Sequence, residues 1–268
     1  MDILKEFTTD DIYIRHAIDE NPDGNVFHFH VHDKCEIYYF VSGNAEYLVE
    51  GSAYPLSKGS LLIMRPGEAH CVRILGNETY ERFAVNFPLT LFDTLDPRQS
   101  LTRIYTARKL GSENMFITSG LRNVFDEMFD ESADDYERRL KILLGILKIL
   151  EMLNSDNTLR FKADSGNNSY EGKILRYINE HLLEDMSVDT LSDYFSLSRS
   201  QFGRIFKKAT GTSPWDYISA KRLLEAKKMI AAGLSAKEAA ISCGFRDYSV
   251  FYRAFVKRFG RSPSELLN

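Results

Sequence analysis

The sequence predicts an α+β protein of several domains: an N-terminal β-barrel with attached helices, then an all-α C-terminal domain built on a duplicated helical unit. Three observations predict it. Strand-like runs with regularly spaced turn signals fill residues 25–90, helical periodicity takes over after about residue 112, and one motif recurs at an offset of 49 residues. The chain has 268 residues, enough for two ordinary domains. Its 44% hydrophobic and 27% charged residues are those of a globular protein. No apolar run reaches membrane-spanning length. The first residues carry acids early and have no apolar core of leader type, so a cytoplasmic location is expected. Cys35, Cys71 and Cys243, an odd number without CxxC spacing, read as reduced, packed thiols.

In chain order, residues 26–41 are rich in Phe, Val, Ile and Tyr and read as strand. Turn signals follow at Ser42-Gly43-Asn44, Glu50-Gly51-Ser52, Ser57-Lys58-Gly59, Arg65-Pro66-Gly67 and Leu75-Gly76-Asn77. Leu121, Val124, Phe125, Met128 and Phe129 then repeat at helical spacing, as do Leu140, Leu143, Leu144, Leu147 and Leu150, with an acidic turn over 131–135 between them. Ile142, Ile146 and Ile149 flank the leucine stripe, so the second helix needs cover on more than one side. The β domain supplies one cover. A partner subunit, giving a homodimer, or burial wholly within its own domain supplies the other. Residues 155–169 are polar, with Gly and Asn and no period, and read as a linker. The expected division is a β domain at 1–112, a helical dimerisation segment at 113–154, the linker, and a helical domain at 170–268.

The net charge of −4 argues against a nucleic-acid partner, but it is unevenly spread. Residues 169–268 hold 16 Lys and Arg against 11 Asp and Glu, a surplus of five positive charges; the remainder holds 18 against 27, nine negative. That imbalance alone decides nothing.

The repeat decides more. Phe202-x-Arg204-x-Phe206-x-Lys208-x-x-Gly211-x-Ser213-Pro214 returns as Phe251-x-Arg253-x-Phe255-x-Lys257-x-x-Gly260-x-Ser262-Pro263. Ser198 and Asp247 stand at N-cap positions of helices that end at Gly211 and Gly260. Phe202, Ile205, Phe206 and Ala209 form a buried stripe in the first helix. Ser200, Gly203, Arg204 and Lys207 point away from it. In the second helix Phe251, Ala254 and Phe255 are inward; Ser249, Tyr252, Arg253 and Val256 are outward. A shorter helix precedes each copy, capped by Ser187 over 188–195 and by a Ser235/Glu238 box over 236–243, with Gly244 placed for a left-handed turn. Each unit is thus a helix-turn-helix. Ser213, Pro214 and Gly233 bound one helix between them, about 27 Å long at 1.5 Å per residue. That length suits two reading helices about 34 Å, one turn of duplex, apart.

On this reading Arg204 and Arg253 are the base readers, since a guanidinium can meet guanine O6 and N7 together. Ser200, Ser249, Tyr248 and Tyr252 are placed for bases or phosphates. Arg199, Lys207, Lys208, Lys257 and Arg258 are placed for phosphates, and Gln201 and Gly203 complete the first face. These segments, with Arg222-Leu223-x-x-Ala226 and Gly244-Phe245-x-x-Tyr248-Ser249, resemble the AraC/XylS transcription regulators over about residues 170–265. The resemblance implies contact with double-stranded DNA by both helices and regulation, activation foremost, through RNA polymerase. Departures are Ser192 where the family usually has Ala, Ala239 in place of a larger aliphatic, and Gly203 inside the first reading helix, where glycine costs roughly 1 kcal/mol relative to Ala.

Gly24-x5-His30-x-His32-x3-Glu36-x6-Gly43 resembles the first cupin motif, and Gly59-x6-Pro66-Gly67-x-x-His70 part of the second; the usual later Asn is missing, with Ile74 near its place. A cupin-like barrel is therefore expected. On one strand His28, His30, His32 and Glu36 would share a face, and a return strand would bring His70 across. Such donors suit zinc, iron, manganese or nickel. Three readings stay open: a metal site on His30, His32, Glu36 and His70; a pocket in which these residues and Tyr38 bind a small-molecule effector; or a residual pattern without a ligand. Tyr38, Phe40, Tyr47, Tyr54, Tyr80 and Phe87 are candidates to line the barrel. A metal-dependent cupin enzyme with incidental DNA binding is the rival to a ligand-responsive regulator, although the repeat has no role in such an enzyme.

Overall fold

The computed structural model describes residues 2–9, 11–23, 29–130, 134–155, 160–161 and 170–266. The chain divides into two compact units, Met1–Gly166 and Asn167–Asn268.

Among the described residues the first unit holds ten strands. They are β1 (Asp2–Thr8), β2 (Tyr13–Asp19), β3 (Cys35–Ser42), β4 (Ala45–Val49), β5 (Ser52–Pro55), β6 (Ser60–Met64), β7 (His70–Ile74), β8 (Tyr80–Phe87), β9 (Met115–Ile117) and β10 (Arg160–Phe161). An antiparallel seven-stranded sheet runs β1-β2-β8-β3-β6-β9-β10, and a three-stranded sheet runs β5-β4-β7. Helices α1 (Arg103–Thr106), α2 (Arg122–Met128) and α3 (Asp135–Asn154) complete the unit.

Alternation along the strands gives the large sheet two apolar faces. Ile37, Tyr39, Phe83, Val85 and Phe87 pack with Phe125 of α2 and Ile142, Ile146 and Ile149 of α3. The opposite parity, Tyr38, Phe40, Leu62, Met64 and Tyr80, packs with Tyr47, Val49 and Tyr54 of the small sheet. Each such side chain, fully buried, contributes about 1.5–3 kcal/mol. The isoleucines of α3 are thus its inner stripe. Leu140 and Leu144 remain 43% and 56% exposed.

Some expectations need correction. Strands β1 and β2 lie before the stretch read as β; their charged residues dilute the pattern, and β2 earns its place by pairing along its whole length with β8. Among the described residues of 26–41, strand structure begins at Cys35. Residues 24–28, including Gly24 and His28, lie outside the described residues, as do 131–133 of the acidic turn. His30 makes one isolated bridge to His70, and a bend at Asp33-Lys34 separates His32 from β3, so no common strand carries His30, His32 and Glu36. Within the expected linker, Arg160–Phe161 pairs with β9. Phe87 packs on the helix side and not in the barrel, because its parity is that of Phe83 and Val85.

The second unit holds α4 (Tyr170–Glu180), α5 (Val188–Tyr194), α6 (Arg199–Thr210), α7 (Pro214–Ala231), α8 (Ala236–Ser242), α9 (Tyr248–Phe259) and a 3-10 turn at Pro263–Leu266. Leu223, Ala226 and Ile230 of α7 pack with Ala239, Ala240, Phe251 and Phe255. Phe206 of α6 meets Tyr217 of α7 edge-on at 5.3 Å. The central helix therefore supports both helix-turn-helix copies.

Candidate nucleic-acid interface and ligand cavity

Local chemistry fixes the two repeated helices α6 and α9. Ser198 caps α6 in a reciprocal box with Gln201, and Asp247 accepts from the amides of Ser249 and Val250. Gly211 and Gly260 close the two helices in left-handed conformation, at φ 78° and 70°. The Phe202/Phe206 and Phe251/Phe255 pairs are buried. Ser200, Gln201, Arg204, Lys207 and Lys208 are exposed on α6, and Tyr248, Ser249, Tyr252, Arg253 and Lys257 on α9; Gly203 is half-buried. Arg199 is exposed and paired with Asp189 at 3.1 Å. No carboxylate neutralises Arg204 or Arg253 among the described residues, so both guanidiniums are free to bind elsewhere.

The turns reveal what the repeat concealed. Leu197 donates its amide to Ser192 and Phe245 donates to Ala240, the same six-residue closure in both copies. The left-handed residue is Gly244 in the second turn (φ 74°) but Ser196 in the first (φ 53°). After the closure the first copy reaches its cap directly, whereas the second inserts Arg246. Arg222, buried on α7, donates from Nε to the Leu182 carbonyl (2.8 Å), from Nη1 to Gly244 (3.0 Å) and from Nη2 to Glu184 (2.5 Å). Its sequence motif was visible; this clamp between distant turns was not. A Cβ on Gly244 would lie 2.8 Å from the Arg222 guanidinium carbon.

In the first unit a cavity of about 300 Å³ opens between the two sheets. His30, His32, Glu36, Tyr38 and His70, all expected there, line it, together with Tyr47 and Tyr80. Phe40 and Tyr54 belong to the apolar cluster beside it. Sequence reasoning missed Tyr13 and Arg15 on β2, and Arg82, Ala84 and Asn86 on β8. Alternation of polar residues at 13, 15 and 19 was their only signal.

Glu36 is the focus of the polar cluster. Its Oε2 lies 3.0 Å from His32 Nε2, 3.3 Å from His70 Nε2 and 2.9 Å from the Asn86 amide that donates to it. Burial pushes this carboxyl up, but the neighbouring His70 and His32 outweigh burial and hold it well below the usual range. Burial pushes His70 down, yet Glu36 wins and raises it. His30 has less compensation, and burial lowers it to about 4, leaving it neutral at pH 7.

The other ring nitrogens constrain the protons. His32 Nδ1 faces the Lys34 carbonyl at 3.0 Å and His70 Nδ1 faces the Glu68 carbonyl at 2.8 Å. A carbonyl only accepts, so both Nδ1 atoms carry hydrogen; a protonated ring then donates from Nε2 to Glu36, whereas a neutral ring would leave an Nε2 lone pair there for a cation. Metal-binding histidines are oriented in this way. His32, Glu36 and His70 offer donor atoms within 4.8 Å of one another, a set that fits a divalent ion; His30 is outside it, its ring stacked beside His70 at 5.8 Å. Glu68, fully buried, anchors this corner. Its carboxylate takes two 2.6 Å bonds from Arg108 and one of 3.0 Å from Asn114.

No helix among the described residues is long and apolar enough to cross a membrane. Comparison with known proteins matches residues 15–146 to the AraC-like ligand binding domain and residues 191–268 to a helix-turn-helix domain family. The HTH-type transcriptional activator RhaS of Enterobacter sp. (strain 638) is 22% identical over 94% of this chain and 96% of its own. The thermoregulatory protein LcrF of Yersinia pestis is 23% identical over 87% and 89%. The solved structure of ToxT from Vibrio cholerae is 14% identical over 96% and 98%, with a TM-score of 0.40. Two matched domains in this order, on a barrel with a cavity and a duplicated helix-turn-helix, make the chain a member of the AraC/XylS family of DNA-binding transcription regulators.

Proposed function

We propose that the protein is an effector-controlled transcription activator that reads DNA with α6 and α9. The observation that supports this most is the pair of exposed arginines without carboxylate partners, Arg204 and Arg253, at equivalent places on two capped helices. Arg204 and Arg253 read bases; Ser200, Gln201, Gly203, Tyr248, Ser249 and Tyr252 lie along the same groove-facing surfaces; Arg199, Lys207, Lys208 and Lys257 hold phosphates. RNA polymerase is the partner through which bound protein acts. A small molecule in the 300 Å³ cavity controls it by binding one state of the protein more tightly than another. The outward face of α3, with Tyr136 71% exposed beside Leu140 and Leu144, is the homodimer surface.

A divalent metal, if loaded, would be held by His32, Glu36 and His70 and would give an effector oxygen a Lewis-acidic anchor. Selection of bound fragments from a random DNA pool tests the main reading. The expected outcome is two conserved boxes about ten base pairs apart. Recovery of DNA with no shared sequence would overturn it.

A further inference from the structure

The cavity contains two guanidiniums in different electrical states. Arg82 is neutralised, its Nη1 2.6 Å from Asp19. Arg15, also in the lining, engages the Tyr13 hydroxyl but has no carboxylate within ion-pair distance among the described residues, and its Nε is buried without a hydrogen-bond partner. The acid opposite it on β1, Glu6, is exposed and accepts from the Tyr13 hydroxyl at 3.3 Å instead. An unpaired buried donor on a cation costs more than an ordinary lost hydrogen bond, so such a group marks a missing partner.

The sheet register places that partner. Arg15 stands opposite Ala84, which stands opposite Tyr38, so one small residue separates the guanidinium from the phenol across β2, β8 and β3. In the next row Tyr13 faces Asn86, which faces Glu36. The hollow above Ala84 thus has a cation at one side and hydrogen-bonding groups at the other: the Glu36 carboxylate, the Asn86 amide and the His30 ring. Glu36 adds no call for a cation, because His32, His70 and Asn86 already surround it.

We infer that the effector is a small hydroxylated carboxylate of monosaccharide size, a sugar acid, whose carboxylate pairs with Arg15 while its hydroxyls meet Asn86, Glu36 and His30. The inference rests on the cavity being the effector site and adds the ligand's charge. One unpaired guanidinium balances one negative charge, which a carboxylate carries and a phosphate monoester exceeds. The volume is at the lower end for small-molecule sites, which suits a single sugar ring and excludes an oligosaccharide.

Calorimetry on the full chain, with matched probes up to about 10 mM, tests it. The probes are galacturonate against galactose, gluconate against glucitol, and galactose 1-phosphate. Expected is binding of at least one acid, about 30-fold or more tighter than its neutral partner. Arg15→Gln should erase that ratio, Arg15→Lys should restore part of it, and Ala84→Leu, which fills the hollow and keeps the cation, should abolish binding. Operator affinity without probe reports that each variant is folded. Neutral sugars binding wild type and Arg15→Gln alike would leave the cavity as the effector site and overturn the acid assignment. Preference for galactose 1-phosphate would overturn it too. No binding by any probe would overturn the sugar-acid class. If, in addition, Ala84→Leu left promoter output unchanged under every growth condition that alters it in wild type, the effector-site reading would fall as well.

Discussion

On α6 the outward series is Arg199, Ser200, Gln201, Gly203, Arg204 and Lys207; forty-nine residues later, on α9, the same places hold Tyr248, Ser249, Val250, Tyr252, Arg253 and Val256. Of these the serine and the central arginine are kept and the other four change, while Lys208 returns as Lys257 near the helix end. One face is cationic and polar, the other aromatic and aliphatic. Cations meet phosphate and lose grip as salt rises, whereas apolar groups can meet thymine methyls. The duplicated skeleton therefore carries two different chemistries on its two equivalent faces. The supports differ as well. Arg222 clamps the second turn, whereas the first accepts from the Tyr170 hydroxyl at the Phe195 carbonyl, and the first turn bends through a serine where the second uses glycine.

The largest expected effect tests that unequal support. Arg222→Ala leaves three carbonyls without a donor and opens a buried space, and should destabilise the second unit by about 4 kcal/mol. Hydrogen exchange should show the turn at Gly244 losing protection before the turn at Ser196; equal loss in both would mean that the clamp serves the whole unit.

Arg253→Ala and Arg204→Ala should each cost about 1–3 kcal/mol in operator binding and relax one base position, at different places in the site. Quantitative binding to a library with single-base changes checks this. Loss that is uniform over all positions would reduce that arginine to a phosphate contact.

Gly203→Ala should stabilise the unit in urea by about 1 kcal/mol, since a Cβ there meets nothing within 4 Å. A simultaneous fall in operator affinity would show that DNA passes close to this point, where the other copy carries the larger Tyr252.

The smallest effect is expected from Ser196→Gly. A non-glycine residue at φ 53° costs roughly 1–2 kcal/mol, part of which glycine gives back as chain entropy, leaving a net gain below about 1 kcal/mol. A loss on the same urea curve would show that the serine side chain stabilises the turn.

The copies were legible because caps, apolar stripe and closing glycine lie within fourteen residues, Ser198–Gly211 and Asp247–Gly260, and need no distant partner. The spacing of His32, Glu36 and His70 also announced a cluster, yet the reason for it was misjudged: the bend at Asp33-Lys34 gathers them, not a shared strand face. Arg15 and Asn86 were hidden because their meaning depends on which strands become neighbours. Strand β2 finds β8 more than sixty residues away, and no local pattern in Tyr13–Asp19 states that its odd positions will face a cavity. Arg222 was hidden for the same reason, its acceptors lying about 20 and 40 residues off in the chain.

The alternation of β8 has a practical outcome for reprogramming. Phe83, Val85 and Phe87 hold the sheet to α2 and α3, while Arg82, Ala84 and Asn86 look into the cavity. Ligand preference can therefore be varied at even positions while odd positions keep the layer packed. A library at residues 13, 15, 84 and 86, each on β2 or β8, would sample new inducers for a biosensor with little load on folding.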